Sequence, residues 1–236
     1  MTRFVRFAAI ATALCAASAH GQLVQYTASY AAQYKGRSVG ESVFTLERSA
    51  EPGEFVFHSR LQAKGLLRLA SPRPVIDRTE FRLAEGSVVP LHFSHEDGSR
   101  KGEDNHSIEF DWDEASATVS GDGYTREIPL HAGVQDRGSV QVSLMLTLRA
   151  GAQPASLDVV DEESVDEYTF VSQGRHTVST SMGELETVRY RQQRAGSSRF
   201  TLIDFAPALE YVPARIEQFR DGESLTAFQL ETYERL

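Results

Sequence analysis

From residue 24 onward, apolar side chains recur at every second position. Tyr26, Ala28, Tyr30, Ala32 and Tyr34 form the longest such run. An extended chain sets these on one face and Thr27, Ser29 and Gln33 on the other. Phe55, Phe57, Ser59, Leu61 and Ala63 continue the theme, as do Ile108, Phe110 and Trp112. Shorter versions occur at Tyr168 and Phe170, Val188 and Tyr190, and Phe200 and Leu202. Breakers such as Lys35-Gly36, Pro52-Gly53, Glu85-Gly86, Asp97-Gly98, Gly121-Asp122-Gly123, Met182-Gly183 and Asp221-Gly222 fall between the runs. Alternating segments joined by short turns predict hairpins and meanders.

Two segments depart from that rhythm. In "QDRGSVQVSLMLTLRAG", Val140, Ser143, Leu144, Thr147 and Leu148 have helical spacing. Asp136 can cap the first amides, Arg149 suits the C-terminal dipole and Gly151 can end the helix. The pattern predicts one amphipathic helix over about 137–149, packed on the sheet or closing one end of it. "AKGLLRLASPRP" (63–74) carries Gly65, two prolines and Leu66, Leu67 and Leu69. It reads either as a plug of core leucines between strands or as a mobile apolar lip. The fold expected is all-β and mainly antiparallel. It is a curled meander, barrel or half-barrel of about a dozen strands with that one helix, since so many strands must curl or close.

Composition narrows the setting. Arg3 and Arg6 precede an apolar run from Phe7 to Ala17, and Ala17-Ser18-Ala19 supplies small residues for cleavage. This predicts a signal peptide over 1–19, too short for the roughly 20 residues of a bilayer span. One β-rich domain is expected over 20–236, without a transmembrane segment. Cys15 belongs to the leader, so the mature chain has no thiol and no disulfide. A large core must then stabilise the exported protein by itself. The formal charge is −9 and becomes −11 without the leader arginines. That argues against nucleic acid, and no polybasic patch for anionic lipid is evident in the totals.

The stretch "FAPALEYVPARIEQFRDG" (205–222) is the most distinctive. Pro207 and Pro213 cannot donate to a ladder and belong at strand ends. A loop over 204–211, a strand from Val212 to Phe219, a turn at Asp221-Gly222 and a last strand from Leu225 to Tyr233 follow. Arg220 then faces Glu223. Arg215 and Glu217 share one face and read as a cross-strand charge ladder or as a hold on a polar ligand. The pattern Ala206-Pro207-x-Leu209-x-Tyr211-x-Pro213-x-Arg215-Ile216-Glu217-Gln218 resembles the closing motif of a bacterial secreted family, domain of unknown function 3108. "GVQD" (133–136), "VVDEESVDEYTF" (159–170), "MGELETVRY" (182–190) and the hairpin from Tyr26 to Gly40 are similar in the same order. Asp204 stands where that family's pattern carries an aromatic, and Glu210 where glycine is commoner. The resemblance implies an exported β-rich domain and assigns no catalytic residues.

Gly36-Arg37-Ser38-Val39-Gly40 matches G-x-S-x-G but lies between two alternating segments, whereas a nucleophile elbow needs a strand-to-helix turn. "HFSHED" offers His92, His95, Glu96 and Asp97; on a strand His92 and His95 diverge, which leaves two ligands on a face and no metal site. His58, His106, His131 and His176 have no motif spacing. Asp158, Asp161, Glu162, Glu163, Asp166 and Glu167 read as a solvated acidic loop. The sequon Asn105-His106-Ser107 is incidental. No cofactor motif is present.

The expectation is a noncatalytic periplasmic protein that binds a lipidic or other apolar ligand, or assists outer-membrane biogenesis with an envelope protein as partner. Tyr26, Tyr30 and Tyr34, with Arg215 and Glu217, are the candidate binding residues. An envelope glycan or ester hydrolase with an acidic cleft stands as the alternative, and an interaction module pairing through a sheet edge as a third.

Overall fold

The computed structural model describes residues 23–69 and 71–236. The leader expected at 1–19, with Cys15, lies outside the described residues. The first eight strands are β1 (Tyr26–Tyr34), β2 (Arg37–Arg48), β3 (Glu54–Ala63), β4 (Val75–Ala84), β5 (Ser87–Glu96), β6 (His106–Asp111), β7 (Ser116–Gly121) and β8 (Tyr124–Pro129). One helix, α1 (Ser139–Arg149), follows. The remaining strands are β9 (Ser156–Val160), β10 (Val165–Thr180), β11 (Gly183–Arg194), β12 (Arg199–Ala206), β13 (Val212–Arg220) and β14 (Glu223–Arg235).

These strands make a single 14-stranded antiparallel sheet of order β8-β7-β6-β5-β4-β3-β2-β1-β14-β13-β12-β11-β10-β9. Two meanders therefore meet where the first strand pairs with the last, Tyr26 opposite Arg235 and Tyr34 opposite Thr226. The turn chemistry is as the sequence predicts. Lys35-Gly36, Glu85-Gly86 and Asp221-Gly222 all have positive φ at both positions, the conformation whose twist matches a hairpin. Arg220 does pair with Glu223 in register, though its guanidinium lies nearest Asp221, at 3.9 Å.

The ladder is open between β8 and β9, and the segment after β8 closes the gap. Gln135 N–H donates to Asp158 O and Val160 N–H to Gln135 O, both at 2.8 Å. The Gln135 amide nitrogen donates to the carbonyls of Val88, Gly133 and Val134. Side chains complete the seam. Tyr124 OH donates to Glu162 at 2.8 Å, Arg126 faces Glu163 at 3.4 Å and His131 lies 3.1 Å from Asp158. The acidic run after the helix is therefore only in part a solvated loop: Glu163 and Glu167 are exposed, while Asp158, Glu162 and Glu163 reach β8 and the segment after it, and Asp166 pairs with Arg194 at 2.6 Å.

Helix α1 starts two residues later than expected and occupies the inside of the curl. None of its residues is exposed, so its polar side is not bathed in water as an amphipathic surface helix would be. That side bonds internally instead. Gln141 donates to Tyr26 OH at 3.5 Å, Ser143 OH to Gln135 Oε1 at 2.8 Å and Thr147 OH to Ser143 O at 2.8 Å. Its apolar side joins the main core through Val142, Leu144, Met145 and Leu148. Asp136 caps the first turn: its Oδ1 accepts from Gly138 N–H at 2.8 Å and Ser139 N–H at 2.9 Å. The same oxygen accepts from Thr79 OH at 2.7 Å, which fixes the helix start to β4. Gly138 is required there because a Cβ would collide with Thr79 Oγ1 and crowd Phe57. Among the described residues no helix is long and apolar enough to cross a membrane.

Candidate functional site

Successive hairpins send the turns at 35–36, 64–74, 97–105, 122–123, 161–164, 195–198 and 221–222 to one end of the curl, its upper end. Between helix α1 and that end lies a cavity of about 410 Å³. The period of two decides its lining. On β12, β13 and β14 the inward residues Ile203, Ile216 and Phe228 stand directly opposite one another. Phe57, Phe93 and Ile108 line the other half, and Val140 and Leu144 of the helix form the floor.

One inward step nearer the upper end, the lining turns polar. On the C-terminal half, Gln192, Thr201 and Gln218 are cross-strand neighbours. On the N-terminal half, Ser59 faces Asp77, Asp77 faces His95 and His95 faces His106. Asp77 Oδ1 lies 2.5 Å from His95 Nδ1 and 3.9 Å from the Arg137 guanidinium. That guanidinium sits 6.0 Å from the Phe93 ring centre. His106 is held by Asp104 O at 3.1 Å, with Glu162 Oε1 at 3.6 Å. Tyr168 also lines the cavity. Burial first, and then the Asp161 carboxylate, raise its pKa, so the phenol stays a neutral donor. The cavity therefore has an apolar depth and a hydrogen-bonding band above it, with a partly exposed arginine at the helix start and with Leu61 and Val75 one step higher on the β3–β4 side.

The residues singled out from sequence take other places. Tyr26 and Tyr30 are fully buried and pack against the core. Tyr26 OH donates to Met145 Sδ at 3.9 Å and Tyr30 OH to Pro213 O at 3.0 Å. Tyr34 sits at the upper end, 46% exposed. None of the three lines the cavity. Arg215 and Glu217 face away from it, while Ile216 and Gln218 between and beside them face in. Arg215 donates to Glu217 Oε2 at 2.9 Å and to Gln229 Oε1 at 2.9 Å. Gln229 in turn donates to Ser179 O at 2.6 Å. The pair thereby helps clamp the long β10–β11 hairpin across the outside of β13 and β14.

Ser38 is exposed on β2, opposite Gln33, and its glycines shape a hairpin. His92 lies 3.6 Å from Glu109 and His95 beside Asp77, so the two histidines take different partners. Among the described residues no group of three or more His, Cys, Asp or Glu converges as a metal site. Sequence reasoning passed over Ser59, Asp77, Gln192 and Gln218. The available signal was a polar residue in the inward phase of an otherwise apolar alternation, as Ser59 is between Phe57 and Leu61.

The family model described as protein of unknown function (DUF3108) matches residues 25–228. The chain belongs to the DUF3108 family. No curated protein matches it. Among solved structures, it is similar to a β-barrel-like protein of domain of unknown function DUF1849 from Brucella abortus. The TM-score is 0.52 at 12% identity, over 91% of this chain and 99% of that one. A candidate exported protein with a YmcC-like fold from Bacteroides fragilis aligns with a TM-score of 0.39 at 13% identity, over 89% of this chain and 95% of that one. A candidate lipoprotein from Parabacteroides distasonis gives 0.39 at 9% identity over the same shares. The Brucella likeness supports the β-barrel-like architecture of this DUF3108 member and carries nothing about a ligand.

"GVQD" supplies the seam residue Gln135 and the helix cap Asp136. The closing motif makes the 3-10 corner Pro207–Leu209 and the strand that lines the cavity with Ile216. At the first departure from the family pattern, Asp204 is 1% exposed and takes both forks of Arg189, at 2.8 and 2.9 Å. At the second, Glu210 adopts φ 56°, the left-handed conformation that favours glycine. It holds Arg149 at 3.3 Å and Arg235 at 3.4 Å.

Proposed function

We propose that this protein is a noncatalytic binder of a single lipidic molecule, held tail-down in the cavity with its polar head among the upper-band residues. The carrying observation is the polarity gradient of one cavity, from Ile203, Ile216, Phe228 and Leu144 to Gln192, Gln218, Asp77 and Arg137. Its volume falls in the range of small-molecule sites, about 300–1,000 Å³. A solid core has no reason to order its lining this way. Burying the tail removes apolar surface from water at about 25 cal/mol per Å². Arg137 and Tyr168 offer donors to an anionic or carbonyl-bearing head.

The leader read at 1–19 supports placing this binding in the periplasm, in service of envelope building or upkeep. Of the two carboxylates that line the cavity, Asp77 is engaged by His95 and Arg137 and Asp161 accepts the Glu162 amide, which does not favour a paired-acid hydrolase. Of the two sheet edges that an edge-pairing module would offer, β9 is bridged by Gln135 and β8 is tied toward it only through Tyr124 and Arg126.

Native mass spectrometry of protein purified from the periplasm tests the proposal. The expected result is a chain carrying a lipid mass that organic extraction removes. Ile216→Trp, which fills the cavity, should abolish that mass and leave circular dichroism unchanged. A wild-type chain that is empty and shows no saturable uptake of a fluorescent fatty acid would refute it.

A further inference from the structure

The connection between β3 and β4 holds the most exposed apolar cluster among the described residues. Its 3-10 turn, Gly65–Leu69, contains no buried residue, and Leu66, Leu67 and Leu69 are 84%, 47% and 73% exposed. The plug of core leucines is therefore not formed. The turn springs from Leu61 and returns at Val75, both of which line the cavity, so the leucines hang at the upper-end mouth.

The charge around this lip differs from that of the chain. There is no aspartate or glutamate between Glu54 and Asp77, yet the interval holds Arg60, Lys64, Arg68 and Arg73. Neighbouring loops add more. Lys64 N–H donates to Val39 O, which sets the exposed turn with Lys35 and Arg37 beside the lip. Arg73 donates to Ser99 O at 2.5 Å and Arg100 O at 2.9 Å, which brings up Arg100 and Lys101. Local acids exist: Glu41 pairs with Lys64 and Glu103 with Lys101, each at 3.0 Å; Asp97 and Asp104 share the 97–105 loop, where Asp97 accepts from Ser99 and Asp104 N–H, and Asp122, Glu163 and Asp221 sit in the upper-end turns of other hairpins. Lys35, Arg37, Arg68 and Arg100 thus lie on the lip or on the two turns tied to it, beside three protruding leucines in a chain of net charge −9. The absence of a basic patch read from the totals does not hold locally.

We infer that the upper end docks on an anionic phospholipid bilayer. The leucines enter the headgroup–acyl boundary and the surrounding cations meet lipid phosphates. Charge complementarity selects the bilayer: three leucines alone could meet any apolar surface, whereas their cationic ring matches a negative one. Docking in this pose turns the cavity mouth to the membrane. The inference thus rests on the proposed lipid binding and gives it a route in and out.

Vesicle co-sedimentation tests this, with the ligand state followed separately by mass spectrometry so that the two readings can fail independently. Wild type should bind vesicles of phosphatidylcholine with about one-third phosphatidylglycerol, bind pure phosphatidylcholine far less, and release at high salt. Leu66→Ser/Leu67→Ser/Leu69→Ser should weaken binding at least ~tenfold, and Arg68→Glu by ~fivefold or more. Val171→Ser, at another exposed apolar position on β10, should bind as wild type does. Leu66→Trp should show a blue-shifted emission on anionic vesicles only. No binding to anionic vesicles, equal binding by the triple variant, or equal binding to neutral lipid would overturn the inference. So would a lip that binds no vesicle but cross-links to an envelope protein.

Discussion

Asp204 shows how one side chain can replace the packing its position would otherwise require. An aromatic there would fill the site by area. The carboxylate instead must be compensated, because a buried charge without partners is costly. Arg189 gives it a two-pronged partner and Thr187 adds a hydroxyl at 3.3 Å. The hydrogen bonds to Asp204 in turn raise the Arg189 pKa, consistent with a charged pair. Asp204→Asn should lower the unfolding free energy by about 2 kcal/mol, the scale of hydrogen bonds to charged groups. Full burial of both partners would argue for more, but the Arg189 side chain is 25% exposed. Urea denaturation reads the change, and an unshifted midpoint would mean the pair contributes nothing. Neither Arg189 nor the pairing itself was legible in the sequence. The two residues lie on different strands, and only the β11–β12 register sets them opposite each other.

At the scale of elements, helix α1 is the informative case. Its spacing, cap and stop signal were readable in order, and Asp136 does hold the first amides. What periodicity could not convey is that the helix sits inside the curl, with none of its residues left exposed. Asp136 feels this directly: desolvation raises its pKa above the ordinary 3.8, against the hydrogen bonds from Ser139, Thr79 and Gly138 that lower it. The folded state therefore holds the proton more tightly than the unfolded chain. Stability declines as pH rises through the folded value and recovers as pH falls toward 3.8. Asp136→Asn keeps an acceptor for the three donors and removes the titration. The wild-type thermal midpoint should gain on the Asn variant between about pH 7 and about pH 4. A constant gap between the two proteins over that range would show that burial does not govern this carboxyl.

At the scale of the whole molecule, the curl depends on a seam of one backbone bridge, at Gln135, and a few side-chain contacts. A ladder distributes bonding evenly, whereas the β8–β9 closure concentrates it in Gln135, Tyr124, Arg126 and the acids at 158–163. Burial and its bond to Glu162 push the Tyr124 pKa up to about 12, so the phenol remains a donor throughout the physiological range. Arg126→Gln/Glu162→Gln should speed amide hydrogen exchange in β8 and β9 by roughly tenfold while leaving β1 and β14 unchanged. Equal acceleration everywhere would mean the sheet opens as one unit. The same seam separates this sheet from a fully bonded barrel and protects its two edges from pairing with other chains.

The sequence by itself determined the strands, their turns, helix α1 and its cap. Each rests on local rules: alternation of faces, positive φ at the turns, and orphan amides at a helix start. Family membership was legible for the same reason, since the matching motifs are short local patterns: a helix cap at Asp136, a corner at Pro207–Leu209 and alternating strands. Only the tertiary structure decided which inward residues stay uncovered by the helix and so line a cavity. It also decided that Arg215 and Glu217 clamp a hairpin, that the acidic run closes the seam, and that three leucines stand in solvent. Those outcomes depend on register and curvature, which bring together strands far apart in the chain and which no local pattern encodes.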